Sequence, residues 1–358
     1  MATVTLKNLR GVDLTVRDRE FVVLTGPAGC GSTAIIRAIA GLEEVSESEI
    51  RFDDRRIDSV PARDRDVALL SHDYAPYPGM SVYQNLAIGL ERRKFAESEI
   101  KKRVDAVATE LGFQGRLTAK ASSLSAEEQR FVGLARVLVR QPRVYLFEEP
   151  FAGLDRPASL RGRSAIAALR QRSSATILYA TSDPAEALSF GARTVIIDAG
   201  IVQQDAEGPA IFEAPANLMV AKFFGDPPMN LVKGALKQER DAVVFREAGD
   251  GTIAVRWPAS DFREGMEFGG SPVVLGFHTH ALDIASSNKT GSSVFRALVD
   301  RAEPRGAGTD LYLRTGEHEL ICRSQGRGEG DLAGHRFEFE IDPAKAHLFD
   351  AASGRVLT

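Results

Sequence analysis

The chain has 358 residues, 44% of them hydrophobic and 26% charged, which is enough apolar material for two cores, so two domains are expected. A net charge of -4 and a pI near 6.0 leave no basic footprint, and a nucleic-acid partner is set aside. No apolar run approaches the ~18 residues of a membrane span. The first 16 residues hold no signal-like apolar core, so a cytosolic chain is expected, docked at most on a membrane protein. The two cysteines, Cys30 and Cys322, stand in neither CxxC nor metal-ligand spacing and fit a reducing compartment.

In chain order, 4–9 and 12–16 alternate with period 2 and predict two short strands joined by a tight turn, and the apolar run 21–25 predicts a buried strand. It leads into Gly26, Pro27, Ala28, Gly29, Cys30, Gly31, Ser32 and Thr33. A helix follows over 32–42, with Ile35, Ile36 and Ile39 at helical spacing. Strand, glycine loop and helix in that order form the layout of a phosphate-binding P-loop, in which backbone N–H groups at a helix N-terminus favour an anion. The lysine of that pattern is absent after Gly31, and Ser32 stands in its place.

A further strand is predicted at 67–71, followed by an aromatic, turn-rich segment over 72–90 that by itself reads as a packed surface loop. Ile100, Val104, Val107 and Leu111 make one face of an amphipathic helix. The stretch 124–128, LSAEE, opens another helix, with Ser125 as N-cap and Glu128 at the capping-box position. The strand 144–147 ends in Glu148 and Glu149; beside a P-loop, such a pair suits a metal ligand and a base for water, although an isolated pair is usually a solvated strand end. Strands at 176–180 and 194–198 complete an alternating pattern that predicts an α/β domain with a parallel sheet. Beyond Asn230 the pattern changes to short strands at 243–245, 252–255, 273–277, 311–313, 319–322 and 336–341 with glycine-rich turns, an all-β domain. His278 and His280 alternate onto one face of it, but with no third ligand in view the pair reads as structural.

The order of glycine loop, aromatic loop, LS-helix, acidic strand end and β-rich tail resembles the ATP-binding-cassette subunits of bacterial carbohydrate and glycerol-phosphate importers. The most specific stretches are 74–90, 210–232 and 347–350, and the likeness covers nearly the whole chain. It implies a P-loop ATPase α/β fold over 1–230, with a helical subdomain at about 73–140 that contacts a membrane permease, and an OB-like regulatory β domain over 231–358. It also implies ATP and Mg²⁺ as cofactors and a place on the cytoplasmic face of the membrane. The implied partners are permease subunits, a second cassette subunit and, indirectly, a substrate-binding protein.

The departures from that family fall on its catalytic positions. Its P-loop lysine aligns with Ser32; losing one charge-assisted contact removes about 1.5–3 kcal/mol, or roughly 10- to 150-fold in affinity. Thr33 still offers a hydroxyl to Mg²⁺. Arg10 runs straight into Gly11 where the family carries a tyrosine-bearing segment, so base stacking worth about 1–3 kcal/mol has no evident donor. The signature loop keeps Ser125 but has Ala126 and Glu127 at its glycines, facing the partner's nucleotide. A carboxylate about 4 Å from a phosphate charge costs on the order of 4 kcal/mol at an effective dielectric of 20, so either Glu127 turns away or the ATP-bound closed dimer is disfavoured. Glu148 replaces the aspartate that helps hold Mg²⁺, Glu149 retains the general-base position, His72 replaces the coupling-loop glutamine, Ser182 replaces the switch histidine, and Asp155 is retained. Together these predict a degenerate, non-hydrolysing or weakly hydrolysing subunit paired with a competent homologue. The alternatives are a functional ATPase with atypical motifs, using Glu149 and Thr33, and a nucleotide-independent scaffold. A sugar, a polyol, glycerol or glycerol phosphate are the solutes the family allows.

Overall fold

The computed structural model describes residues 2–262, 272–285, 293–306, 308–324 and 332–357. They form two compact units, Met1–Pro209 and Ala210–Thr358.

The first unit carries β1 (Val4–Leu9), β2 (Val12–Val16), β3 (Phe21–Thr25), α1 (Ser32–Ala40), β4 (Glu49–Phe52), β5 (Arg55–Arg56) and β6 (Val67–Ser71). There follow α2 (Val82–Glu91), α3 (Glu97–Glu110), α4 (Ala126–Leu138), β7 (Val144–Glu148), α5 (Arg156–Arg172), β8 (Thr176–Thr181), α6 (Pro184–Ser189), β9 (Arg193–Asp198) and β10 (Ile201–Glu207). A six-stranded sheet runs β10-β9-β3-β8-β7-β6, with β3 parallel to both β8 and β9. An antiparallel four-stranded sheet runs β2-β1-β4-β5. Both faces of the parallel strands are covered, which is why β3, β7 and β8 are buried at every residue and read as continuous apolar runs rather than alternations.

Helix α1 packs Ile35, Ile36 and Ile39 into the core shared with Leu24, Leu146 and Leu178. It stops at Gly41, whose φ of 77° is the left-handed C-cap that glycine adopts without strain. The buried Arg65 guanidinium then donates to Ala38 O at 2.7 Å, which also accepts the Gly41 N–H, and to Ile39 O at 3.0 Å, tying down the carbonyls of the last turn.

The aromatic segment differs from its sequence reading, because its second half is α2 and not a loop. Ser81 and Gln84 close a reciprocal capping box, and the buried Asn85 amide is bonded to both Tyr77 N (2.8 Å) and Tyr77 O (3.1 Å). The S-x-x-Q spacing that starts this helix was present in the sequence, masked by the proline and glycine just before it.

The second unit holds α7 (Gly208–Glu213), which begins two residues ahead of it, and α8 (Leu218–Phe223). Its strands are β11 (Asn230–Glu239), β12 (Ala242–Glu247), β13 (Ala254–Pro258), β14 (Pro272–Phe277), β15 (Leu282–Ile284), β16 (Val294–Arg305), β17 (Gly308–Thr315), β18 (His318–Ser324), β19 (Arg336–Ile341) and β20 (Ala346–Asp350). Two five-stranded antiparallel sheets, β13-β12-β11-β14-β20 and β15-β19-β16-β17-β18, curl into an OB-like half-barrel over Phe245, Leu275, Val299, Leu311 and Phe339. The division lies ahead of the 230/231 boundary read from composition. Residues 217–229 belong with the β strands: Asn217 bridges Arg355, and Ala221 and Met229 pack on Val274 and Phe349.

Candidate functional site

The glycine loop follows β3 directly. At Gly26 a Cβ would lie 1.9 Å from Ile197 O, so only glycine passes under β9 here. Gly29 and Gly31 take φ of 83° and 104°, turning the chain so that α1 starts at Ser32 with Gly31 as N-cap. No side chain caps that terminus and no acidic residue lies in its first turn. The amides that a phosphate would meet are therefore not engaged by a local carboxylate. Ser32 is buried and its Oγ accepts from Cys30 Sγ at 3.4 Å, so it lies inside the loop and brings no charge to it.

At the end of β7 the Glu148 side chain is wholly buried. Its Oε1 accepts from Arg37 Nε at 2.8 Å, and His72 Nδ1 lies 3.6 Å away. Arg37 stands in α1, five residues past Ser32, and its Nη2 also lies 3.8 Å from Asp73 Oδ2. The Glu148 bond raises the Arg37 pKa above its usual range, while the Ser71 hydroxyl, ahead of His72 and Arg37, holds Asp73 below the usual carboxylate value. Glu148 Oε2 is buried with no hydrogen-bond partner among the described residues.

Glu149 follows in left-handed backbone, φ 43°, an uncommon conformation for a residue with a Cβ. Its N–H donates to Ala180 O at 2.9 Å, and its Oε1 accepts the Ser182 backbone N–H at 2.6 Å. The Glu149 carboxylate is thus held against the end of β8. The Ser182 side chain is exposed there, next to the buried Glu186, whose pKa burial pushes up.

The LSAEE stretch is elsewhere. Ser125 Oγ accepts from Glu128 N at 3.2 Å and Glu128 Oε2 accepts from Ser125 N at 2.8 Å, the reciprocal box predicted from sequence. Ala126 begins α4. Glu127 pairs with Arg161 of α5, and Glu128 with Arg116 at 3.0 Å. Asp155 caps α5, its Oδ1 accepting from Ala158 N at 2.8 Å. The structure therefore joins Ser32, Glu148, His72, Glu149 and Ser182 around the C-terminal ends of the parallel strands. Ser125, Ala126 and Glu127 lie apart from these at the start of α4, where Glu127 pairs with Arg161 of α5. Sequence reading missed Arg37, Asp73 and Arg161; the one signal was Arg37 itself, a lone cation in the apolar stretch IIRAIA.

Residues 9–152 match the sequence model of the family described as ABC transporter. The chain is 35% identical over 346 residues to the ABC transporter ATP-binding protein YurJ of Bacillus subtilis, covering 96% of this chain and 93% of that one. The chain belongs to the ATP-binding subunits of ABC transporters. Two further relatives of this cassette are named for sugars. The oligosaccharides import ATP-binding protein MsmX of Bacillus subtilis is 33% identical, with 95% and 92% covered. The trehalose/maltose import ATP-binding protein MalK of Thermococcus litoralis is 32% identical, with 98% and 95% covered. A solved dimeric ATP-binding cassette in a post-hydrolysis state with ADP and Pi superposes at a TM-score of 0.51 and 21% identity, covering 57% of this chain and 98% of that one, a likeness of fold.

Membership implies a capacity for ATP and Mg²⁺. The glycine loop keeps the backbone cradle for a phosphate. Of the residues expected to hold the metal, Glu148 is paired with Arg37 through Oε1 at 2.8 Å, and its Oε2 has no hydrogen-bond partner among the described residues.

Proposed function

We propose that this cassette is the ATP-binding subunit of an importer for a sugar or oligosaccharide, and that it is the non-hydrolysing or weakly hydrolysing member of a heterodimer. The solute class is supported by the relatives named for oligosaccharide and trehalose/maltose import. It works from the cytoplasmic face, with segment 73–140 against the permease; no helix among the described residues is long and apolar enough to cross a membrane.

The observation that carries the reading is that the acidic groups at the catalytic positions are answered from within the chain while the P-loop lysine is missing. Glu148 is held by Arg37, Glu149 by the Ser182 N–H, and Glu127 by Arg161. The last pair bears on the partner. With Glu127 bonded to Arg161, its charge is partly neutralised where the signature would face ATP held by the other subunit, which makes a productive partner site compatible with LSAEE. In this arrangement the chain supplies packing, docking and the Ser125 helix end, and the partner supplies lysine, base and histidine.

The experiment is co-expression with the adjacent permease and cassette genes, followed by subunit counting and nucleotide analysis of the purified complex. One copy of this chain beside one competent cassette, with nucleotide held by the partner's P-loop, is expected. Two copies of this chain with ordinary ATP turnover would sink the reading. Transport assays with a sugar, a polyol, glycerol and glycerol phosphate then select the solute.

A second reading keeps the chain as an ATPase with Glu149 as base. It draws on the unpartnered Glu148 Oε2, an acceptor that a metal-bound water would satisfy. It requires a rise in melting temperature of the isolated chain with Mg-ATP, scaling as RT ln(1 + [L]/Kd).

A further inference from the structure

At the N-terminal ends of β6, β7 and β8, the opposite end of the parallel strands from the glycine loop, a cavity of about 860 Å³ opens between α3 and the last turn of α5. Small-molecule sites span roughly 300–1,000 Å³, so it has the size of one. Its lining includes Tyr145, the second residue of β7, which is 1% exposed among the apolar Val144, Leu146 and Phe147. Packing in that strand calls for a ring and not for a hydroxyl. Burial pushes the hydroxyl up to about 12 against the opposing effect of Arg172 and Arg103, so it stays protonated, and it is hydrogen-bonded to Ser173, which also lines the cavity.

The charged groups of the lining come largely as closed pairs. Arg103 Nε donates to Glu99 Oε1 at 2.6 Å within α3, and Arg172 of α5 pairs with Glu110 of α3. Asp66 is met by Arg93 at 3.0 Å, and Arg143 by Asp53. A charged ligand has to break one of these pairs and leave its other member without a counter-charge. A neutral ligand does not. A guanidinium carries several N–H donors and a carboxylate several acceptor sites, so each pair keeps hydrogen-bonding capacity to spare. Neighbouring hydroxyls on one ligand, one accepting and one donating, satisfy both members at once. Between the pairs lie Ala106, Val107, Leu138 and Leu169, apolar surface for the C–H faces of such a ligand.

We propose that this cavity binds a neutral polyhydroxylated molecule, a polyol or a mono- or disaccharide, bridging α3 to α5 at a site separate from the nucleotide's. Recognition there asks only for hydroxyl chemistry and is independent of ATP turnover and of the solute the importer carries.

Isothermal titration calorimetry of the full chain provides the test, with maltose, trehalose, sorbitol and glycerol as neutral probes and citrate and glucose 6-phosphate as anionic ones. Saturable binding of at least one neutral probe is expected, one molecule per chain and tighter than either anion. Tyr145→Phe keeps the ring in β7 and should weaken that binding roughly 2- to 12-fold, the worth of one neutral hydrogen bond. Arg172→Gln removes the charge on the α5 side and should weaken it roughly 10- to 150-fold. No saturable binding of any neutral probe, tighter binding of an anion, or binding untouched by both variants overturns the proposal. If Arg172→Gln fails to fold, Tyr145→Phe, which removes a single hydroxyl, decides.

Discussion

The Glu149 carboxylate accepts the Ser182 backbone N–H at 2.6 Å, so the carboxylate expected to act as base is engaged by the backbone just after β8. With a left-handed φ of 43°, Glu149 is held in place by its surroundings and contributes to folding. Replacing Glu149 by Ala is therefore expected to lower stability by about 1.5–3 kcal/mol through loss of a charge-assisted hydrogen bond. Urea denaturation followed by circular dichroism measures it; a change near zero would show that the carboxylate is free for chemistry.

Ser32→Lys isolates the P-loop lysine from the other losses. One restored charge-assisted contact should tighten nucleotide binding roughly 10- to 150-fold. Phosphate release should stay near background, because Glu149 remains bonded to Ser182 and no histidine is restored. A fluorescent ATP analogue and a phosphate assay give the two readings, and substantial hydrolysis from this single change would contradict the proposed function.

The two loop glycines should respond differently to alanine. Gly26→Ala places a methyl 1.9 Å from Ile197 O, backbone that cannot move without shifting β9, so loss of soluble protein is expected. Gly29→Ala meets nothing within 4 Å and carries only the left-handed backbone penalty, about 1–2 kcal/mol. Expression yield and melting temperature separate the two.

Ser125 is a helix cap first. Ser125→Ala removes the acceptor for Glu128 N and should cost about 1 kcal/mol, within the 0.5–2 kcal/mol span of such caps. In the heterodimeric complex the same variant should also lower ATP turnover at the partner's site. Thermal melts of the isolated chain and turnover of the complex read the two roles separately.

The β unit should weaken on mild acidification. His278 is buried, its Nε2 is 2.7 Å from Phe212 O, and burial, then the neighbouring His280 and His347, hold its pKa below the ordinary 6.5. The neutral ring is the folded form, so its contribution is complete above 6.5 and is lost as pH falls from there through the folded-state value. Trp257, the only tryptophan, lies buried in this unit and reports its unfolding. Melts at about pH 7.5 and pH 5.5 should show a drop that is smaller in His278→Gln, with His347, also lowered by burial, supplying the remainder.

The sequence by itself determined the local parts. Strand, glycine loop and helix, the Ser125 capping box, the Glu148-Glu149 strand end and the β-rich tail are each set by apolar runs and by hydrogen bonds within a few residues. Spacing along the chain is enough to read them. The tertiary structure alone decided which charges meet. Arg37 reaches Glu148 across 111 residues, Arg161 reaches Glu127 across 34, and the Ser182 N–H reaches Glu149 across 33. The first depends on α1 and β7 packing into one core, the second on α5 lying beside α4, and the third on β8 pairing in register with β7. None of these follows from residue type. Thus the missing lysine was legible in the sequence, while the Arg37–Glu148 pair became visible only once the sheet had brought α1 and β7 together.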